Sequence, residues 1–447
     1  MTRIFALHSA YGLATAAAAL DGGLLDGEGE SILVPFNSAR VPETALGIAA
    51  DPALRSLRGR FDRVEELEAV LGALHPSSWK PRDAELPVIG RLLTRAWGLD
   101  PRDLELFVQS PQVAPARTLM SLFPGARITI IGDGLMTWSP MRVKLSHTVA
   151  ARIGRVVHAD VVPGVTPLVA SPHATTVPVP PDLFRAALEE TAIDYAGTLA
   201  DGTPTVLVLG QYLSALGLVT PAEEIALQGE LIDRAMDWAP QRIVFKPHPS
   251  APPLITDAVR RRAERHGVEF AEYRGALAAE LLAERLGVLA VVAGFSTALP
   301  TAHALLGTPI GAAGTASVLR RLEPFENSNR IPATIVDALT RDDSPYLEPE
   351  RLQLLVDAVG YAMQPVVAGH LRPRAEDFLR AADEAERRRY FTPARLAALR
   401  LPGAPRPGVL DRALRPAGGV GRVEEARLTV LGARRRAARA WKAIRGR

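Results

Sequence analysis

The sequence contains no cysteine. Disulfides, thiolate metal sites and cysteine nucleophiles are therefore excluded outright. It also lacks a basic opening segment followed by a long apolar run. Met1 to Leu7 reads as a strand, and Ala14 to Leu20 is too short for a signal peptide or a membrane span. A soluble, cytoplasmic protein is the expectation. Acids are absent from residues 427–447, which hold eight Lys and Arg. The remaining chain carries 44 Lys and Arg against 49 acids, a net of −5, although the whole chain stands at +3. The basic character thus belongs to the tail. A nucleic-acid-binding body would place a basic patch on the fold itself, and no nucleic-acid partner is expected.

What is present suits globular cores: 447 residues, 47% of them apolar and 23% charged. That length exceeds one ordinary core, so two domains are expected. Short apolar, β-branched runs alternate with helical patterns. Arg3–Leu7, Ser31–Pro35, Leu104–Gln109 and Arg127–Ile131 read as strands, with helices at Gly12–Leu20 and around Ala114–Phe123. A Pro-rich segment, Pro163–Pro181, marks a boundary. The rhythm then repeats. Strands are expected at Thr205–Leu209, Arg242–Phe245, Val268–Ala271 and Val288–Val292. Helices are expected near Pro221–Trp238, Pro253–His266, Ala276–Glu284, Ala298–Leu306, Glu348–Met363 and Arg374–Arg388. Alternation of this kind predicts two Rossmann-like parallel sheets facing a cleft, an α/β fold. Ligands then bind at the carboxyl ends of the strands.

Three segments sit at such ends. Ile130-Ile131-Gly132-Asp133-Gly134 exposes an acid between glycines after a strand. A carboxylate there can take a proton from a sugar hydroxyl, though Asp-Gly is also ordinary turn chemistry. Phe245-Lys246-Pro247-His248-Pro249-Ser250 stiffens one histidine with two prolines beside a lysine, which suits binding of a phosphate. Gly294-Phe295-Ser296-Thr297-Ala298 precedes a helix, where hydroxyls and backbone N–H groups form an anion site or a plain N-cap. Weaker signals are Glu280, Gly210-Gln211-Tyr212 after the first strand of the second half, and Ser9 to Gly12, which a strand–helix turn explains equally well.

Asp133-Gly134, His248-Pro249 and Ser296-Thr297, in that order, resemble the acidic-acidic-Gly, His-Pro and Ser-Ser/Thr motifs of bacterial sialyltransferases of the α-2,8-polysialyltransferase-like family. Val208-Leu209-Gly210-Gln211, Ala279-Glu280-Leu281-Leu282 and the run Gly294 to Ala302 are also similar to that family's second domain. One departure stands out: Gly132 occupies the place where many members carry a first acid.

The resemblance implies a metal-independent, inverting enzyme of GT-B architecture that needs no cofactor and uses a CMP-activated sialic acid or related sugar. It implies Asp133 as base and His248 assisting the departing CMP phosphate. It implies Ser296 and Thr297 binding that phosphate and Glu280 holding the ribose. Gly210, Gln211, Lys246 and Pro249 are expected on the donor side, and Ser9, Gly12 and Gly134 on the acceptor or inter-domain side. The acceptor is expected to be a cell-surface glycan or glycolipid. The expected division is an acceptor-side domain over 1–180, a nucleotide-sugar domain over 181–345, helices over 346–400, and a linker and tail over 401–447. A CDP-glycerol-dependent glycerophosphotransferase of the teichoic-acid type and a degenerate GT-B binding module remain as alternatives.

The tail repeats apolar residues at helical spacing: Val430, Ala433, Ala437, Trp441 and Ile444. Basic residues flank this stripe, a pattern suited to an anionic membrane surface and hence to a peripheral location at the membrane's inner face. A solvated basic terminus explains the composition too.

Overall fold

The computed structural model describes residues 1–405, apart from 26–28, 39–45, 171, 193–198, 216 and 249. Pro249 and the basic tail over 427–447 therefore lie outside the described residues.

The strands follow from their composition. TRIFAL, SILVP, LELFVQ and TVLVL are near-continuous apolar runs, as strands covered on both faces must be. In the first sheet lie β1 (Thr2–Leu7), β2 (Ser31–Pro35), β3 (Arg63–Val64), β4 (Leu104–Gln109), β5 (Arg127–Ile131), β6 (Ile153–Ala159) and β7 (Thr175–Val179). Their order is β3-β2-β1-β4-β5-β6-β7. The second sheet holds β8 (Thr205–Leu209), β9 (Arg242–Lys246), β10 (Glu269–Glu272), β11 (Ala290–Ala293) and β12 (Ile310–Ala312), ordered β10-β9-β8-β11-β12. Every pairing is parallel. This is the GT-B architecture of two parallel-sheet domains.

Both sheets reverse their order beside the first strand, between β1 and β4 and between β8 and β11. Such switch points open crevices at the carboxyl ends of the strands. One buried cluster joins the domains: it includes Phe5, Leu13 and Leu135 of the first and Leu207, Val291 and Leu299 of the second. Separate clusters cover the outer face of each sheet.

Two local features differ from the sequence expectation. The Pro-rich boundary segment contains β7, with Pro178 opposite His158. Proline has no N–H to give a ladder, and β7 tolerates it as the last strand of its sheet. The single helix expected over Arg374–Arg388 is two, Arg372–Ala381 and Glu384–Tyr390. Asp383 separates them, and its side chain accepts a hydrogen bond from Glu386 N at the start of the second.

Helices tie the two halves together. The helix Pro181–Glu189 packs on the alanine-rich helix Ala10–Asp21, with the Phe184 ring 4.9 Å from Tyr11. The helix Pro349–Met363 reaches back to the first domain, where Gln353 Oε1 accepts from Thr166 N. The buried Asp337 carboxylate, 1% exposed, gathers Thr315, Arg389 and Tyr390. No described helix is long and apolar enough to cross a membrane.

Candidate active site

β1 ends at Leu7, and the chain turns into the helix Ala10–Asp21 through His8 and Ser9. Ser9 is its N-cap: extended backbone places the hydroxyl to accept from Gly12 N at 3.0 Å. Ser9 is therefore built into the turn. Gly12 is required by its neighbour, because a Cβ there would lie 2.5 Å from Gln109 Oε1.

Gln109 closes β4 and is fully buried. Its carboxamide oxygen accepts from His8 N at 3.0 Å and Ser9 N at 3.3 Å. Its nitrogen donates to Ser9 Oγ at 2.6 Å and to Asp133 Oδ1 at 3.0 Å. Every donor and acceptor of this side chain is used, and it fixes one oxygen of Asp133.

Asp133 follows β5. Its backbone N–H donates to Thr137 Oγ1 at 2.8 Å, and its side chain remains 36% exposed. The other oxygen, Oδ2, lies 4.0 Å from His8 Nε2. The His8 ring is held between Ser110 Oγ at 3.0 Å and Ser38 Oγ at 3.1 Å. Burial pushes the His8 imidazole below its usual pKa, partly offset by the Asp133 charge and a backbone hydrogen bond.

The second domain meets the turn that follows this carboxylate. Gly134 has φ +52, and a Cβ there would stand 2.7 Å from Thr297 Cγ2. Only glycine satisfies both the backbone and the contact. Leu135 N points at Thr297 Oγ1 at 3.4 Å. The Asp133-Gly134 turn and the Ser296-Thr297 loop thus interlock across the cleft. Ser296 Oγ accepts from Ala298 N at 3.2 Å, at the start of the helix Ala298–Leu306.

The second sheet repeats the carboxamide device. Gln211, just after β8, accepts from Phe295 N at 3.1 Å. A Cβ at Gly294 would lie 2.0 Å from Gln211 Oε1. Gly210 packs under the next strand's loop, where a Cβ would meet Phe245 and Pro247 at 2.7 and 3.1 Å. His248 is exposed in that loop, 6.4 Å from the Tyr212 ring. Its Nδ1 accepts from Ser250 N at 3.2 Å, which assigns the proton to Nε2. Partial desolvation by the surrounding loop lowers the ring's pKa from its usual value, against the opposing pull of Glu224.

Lys246 donates to Gly275 O at 2.8 Å and lies over the Tyr273 ring. Beside it stands Glu280, whose carboxyl burial pushes up to about 7, countered by a backbone hydrogen bond and by Lys246. Glu280 and Asp133 both act on Tyr11, whose phenol burial raises well above its ordinary range. The Tyr11 hydroxyl is buried and turns toward Thr301 without closing a normal hydrogen bond.

The structure brings the Asp133-Gly134 turn against Thr297, Gln211 against the Gly294-Phe295 backbone and Lys246 near Glu280, while His248 stands in the loop after β9 beside Tyr212. Sequence reasoning missed His8 and Gln109, and touched Tyr11 only as part of the Ser9 to Gly12 turn. Their position at or beside the ends of β1 and β4, the switch point of the first sheet, was the available signal. At Gly132, a Cβ would press on His158 Cβ and Thr137 Oγ1, both at 2.9 Å. Position 132 is thus closed to a side chain by its neighbours. Among the described residues no group of three His, Asp or Glu side chains could hold a metal ion.

A family model described as alpha-2,8-polysialyltransferase (POLYST) matches residues 3–310. No curated protein matches the chain. Similar solved structures include a UDP-glucosyltransferase from Polygonum tinctorium, 11% identical over 87% of this chain and 97% of that one, with TM-score 0.42. The S. aureus MnaA–UDP complex is 11% identical over 82% and 97%, with TM-score 0.41. A glycosyltransferase from Rickettsia africae is 9% identical over 85% and 99%, with TM-score 0.39.

Proposed function

The chain belongs to the alpha-2,8-polysialyltransferase family and is a glycosyltransferase, and from that premise we propose that it moves a sialic-acid-type sugar from a CMP-activated donor to a hydroxyl of a glycan. The observation that supports this reading is the Asp133 carboxylate, anchored through one oxygen on a turn whose Gly134 packs against Thr297 of the opposite domain.

In the proposed reaction the acceptor hydroxyl gives its proton to Asp133 Oδ2. The acceptor oxygen forms a bond to the anomeric carbon as the bond from that carbon to the phosphate oxygen breaks. The electron pair leaves with CMP, and single displacement inverts the anomeric centre. Negative charge grows on the departing phosphate. His248 Nε2–H, the Ser296 hydroxyl and the N-terminus of the helix Ala298–Leu306 are the donors assigned to it. Lys246 adds positive charge. These donors meet the phosphate charge without a metal ion in the scheme.

Glu280 is assigned to the nucleotide ribose. Burial pushes its carboxyl up to about 7, and a carboxyl can accept hydrogen bonds from the ribose hydroxyls. His8 is a positioning residue for the base, through its place beside Asp133 Oδ2.

Calorimetry tests the donor side. CMP should bind more tightly than CDP or UMP, and His248→Ala should weaken CMP binding with little effect on melting temperature. Equal CMP binding by wild type and His248→Ala removes His248 from the donor site.

A further inference from the structure

Behind the Asp133 turn lies a cavity of 550 Å³, between β6 and β7 of the first sheet and the helices Pro349–Met363 and Arg372–Ala381. Its wall is mostly apolar, with Met141, Leu145, Ile153, Val156, Leu168 and Val367 among its lining. Its volume is that of a small-molecule site. Val143 and Val366, 41% and 65% exposed, stand at its mouth, an arrangement that costs solvation unless something covers it.

The cavity adjoins the reaction site through a shared wall. Pro140 and Val169 line both it and the smaller pocket that contains Asp133. The loop between them carries two cations. Arg142 lines the Asp133 pocket, and Lys144 lines the apolar cavity. Both side chains are exposed, and neither is paired with a carboxylate among the described residues. Arg374, also on the cavity wall, is by contrast neutralised by Asp357. Asp133 and Arg142 thus share one pocket, and Lys144 belongs to the apolar cavity beside it.

We propose that this cavity holds the hydrocarbon end of an anionic amphiphile, a lipid-linked acceptor whose phosphate-type group meets Arg142 and Lys144 while its sugar reaches Asp133. The proposal rests on the transferase reading for the sugar's fate, but the amphiphile site stands on the cavity alone. The chain's own residues 406–447 are a poor occupant. They carry twelve Lys and Arg against three acids, and the mouth of the cavity is itself cationic.

The full-length chain should be titrated with a fluorescent dodecyl phosphate and challenged with decyl phosphate, decanol or inorganic phosphate. Shortening the competing alkyl phosphate should weaken competition by about fourfold per methylene. Decyl phosphate should compete at least tenfold better than decanol, and Lys144→Gln should remove most of that difference. Ala170→Trp, which fills the chamber, should weaken the probe tenfold or more with CMP binding unchanged. Thr176→Phe serves the same purpose from β7 should the first variant fail to fold. Equal binding by folded, cavity-filled variants overturns the proposal, and so does equal competition by decanol and decyl phosphate. Probe binding that rises tenfold on deleting 406–447 would make the tail the occupant and overturn it as well. Absence of probe binding to the unmodified full-length chain, with transfer to free oligosaccharides intact, fails this inference alone. Probe binding without any transfer from CMP-sialic acid fails the transferase reading alone.

Discussion

Gln109 Nε2 lies 3.0 Å from Asp133 Oδ1, and the same carboxamide caps the His8 and Ser9 backbone. One buried side chain therefore sets both the helix that follows β1 and the orientation of the proposed base. Gln109→Leu should act twice. It strands the His8 and Ser9 amides, at about 1–3 kcal/mol for each buried group left without a partner. It also frees the Asp133 carboxylate to rotate. A lower melting temperature together with a lower kcat is the expected outcome, measured by thermal unfolding and initial rates. A melting temperature and kcat equal to wild type would show that the carboxamide anchors neither.

Glu280 gives a pH signature. Its carboxyl is raised in the fold to about 7 from an ordinary value of 4.5. The folded state thus binds this proton more tightly than the unfolded chain does. The associated stability is fully present below about pH 4.5 and is lost as pH rises toward and through 7. Glu280→Gln, which cannot ionise, should gain melting temperature relative to wild type between pH 5 and 8. Parallel curves for the two proteins would show that the carboxyl titrates normally.

Gly132 is closed to side chains by His158 and Thr137, each 2.9 Å from the position of a Cβ. Gly132→Asp, which adds a second acid beside Asp133, should cost about 1–3 kcal/mol of stability through overpacking. Turnover should not rise. A stable, faster Gly132→Asp protein would mean that the base is shared between the two positions.

Much of this arrangement was legible in the sequence because buried parallel strands are uniform apolar runs. Thr205–Leu209 and Leu104–Gln109 announce themselves that way, and the placement of Asp133, His248 and Ser296 just after strands β5, β9 and β11 was equally legible. The rest depends on contacts between distant segments. Nothing in the local pattern shows that Gln109, ending a strand, reaches both Ser9 and Asp133. Nothing local shows that Gly134 is small for the sake of Thr297. β7 was obscured by its own prolines, which only an edge strand accepts, and edge position is a property of the finished sheet. The gap between Arg372–Ala381 and Glu384–Tyr390 turned on Asp383, a cap whose effect outweighs the helical periodicity on both sides.

The basic segment over 427–447 lies outside the described residues, and its role is a proposal. It is assigned to an anionic membrane surface, with each basic residue contributing about 1 kcal/mol near the leaflet. Deleting it should reduce co-sedimentation with anionic vesicles and leave transfer to a soluble acceptor intact. High salt should mimic the deletion. Equal vesicle binding by the full-length and truncated chains contradicts the assignment.

The most direct test of the account is the initial rate of nucleotide release and sugar transfer with CMP-sialic acid and with CDP-glycerol, for wild type and Asp133→Asn. The amide keeps the oxygen that accepts from Gln109 but cannot take the acceptor proton. The account predicts transfer from CMP-sialic acid alone, reduced by a factor of about 10²–10⁴ in Asp133→Asn with fold and CMP binding unchanged. Turnover of CDP-glycerol, or transfer by Asp133→Asn at a rate near wild type, would contradict it.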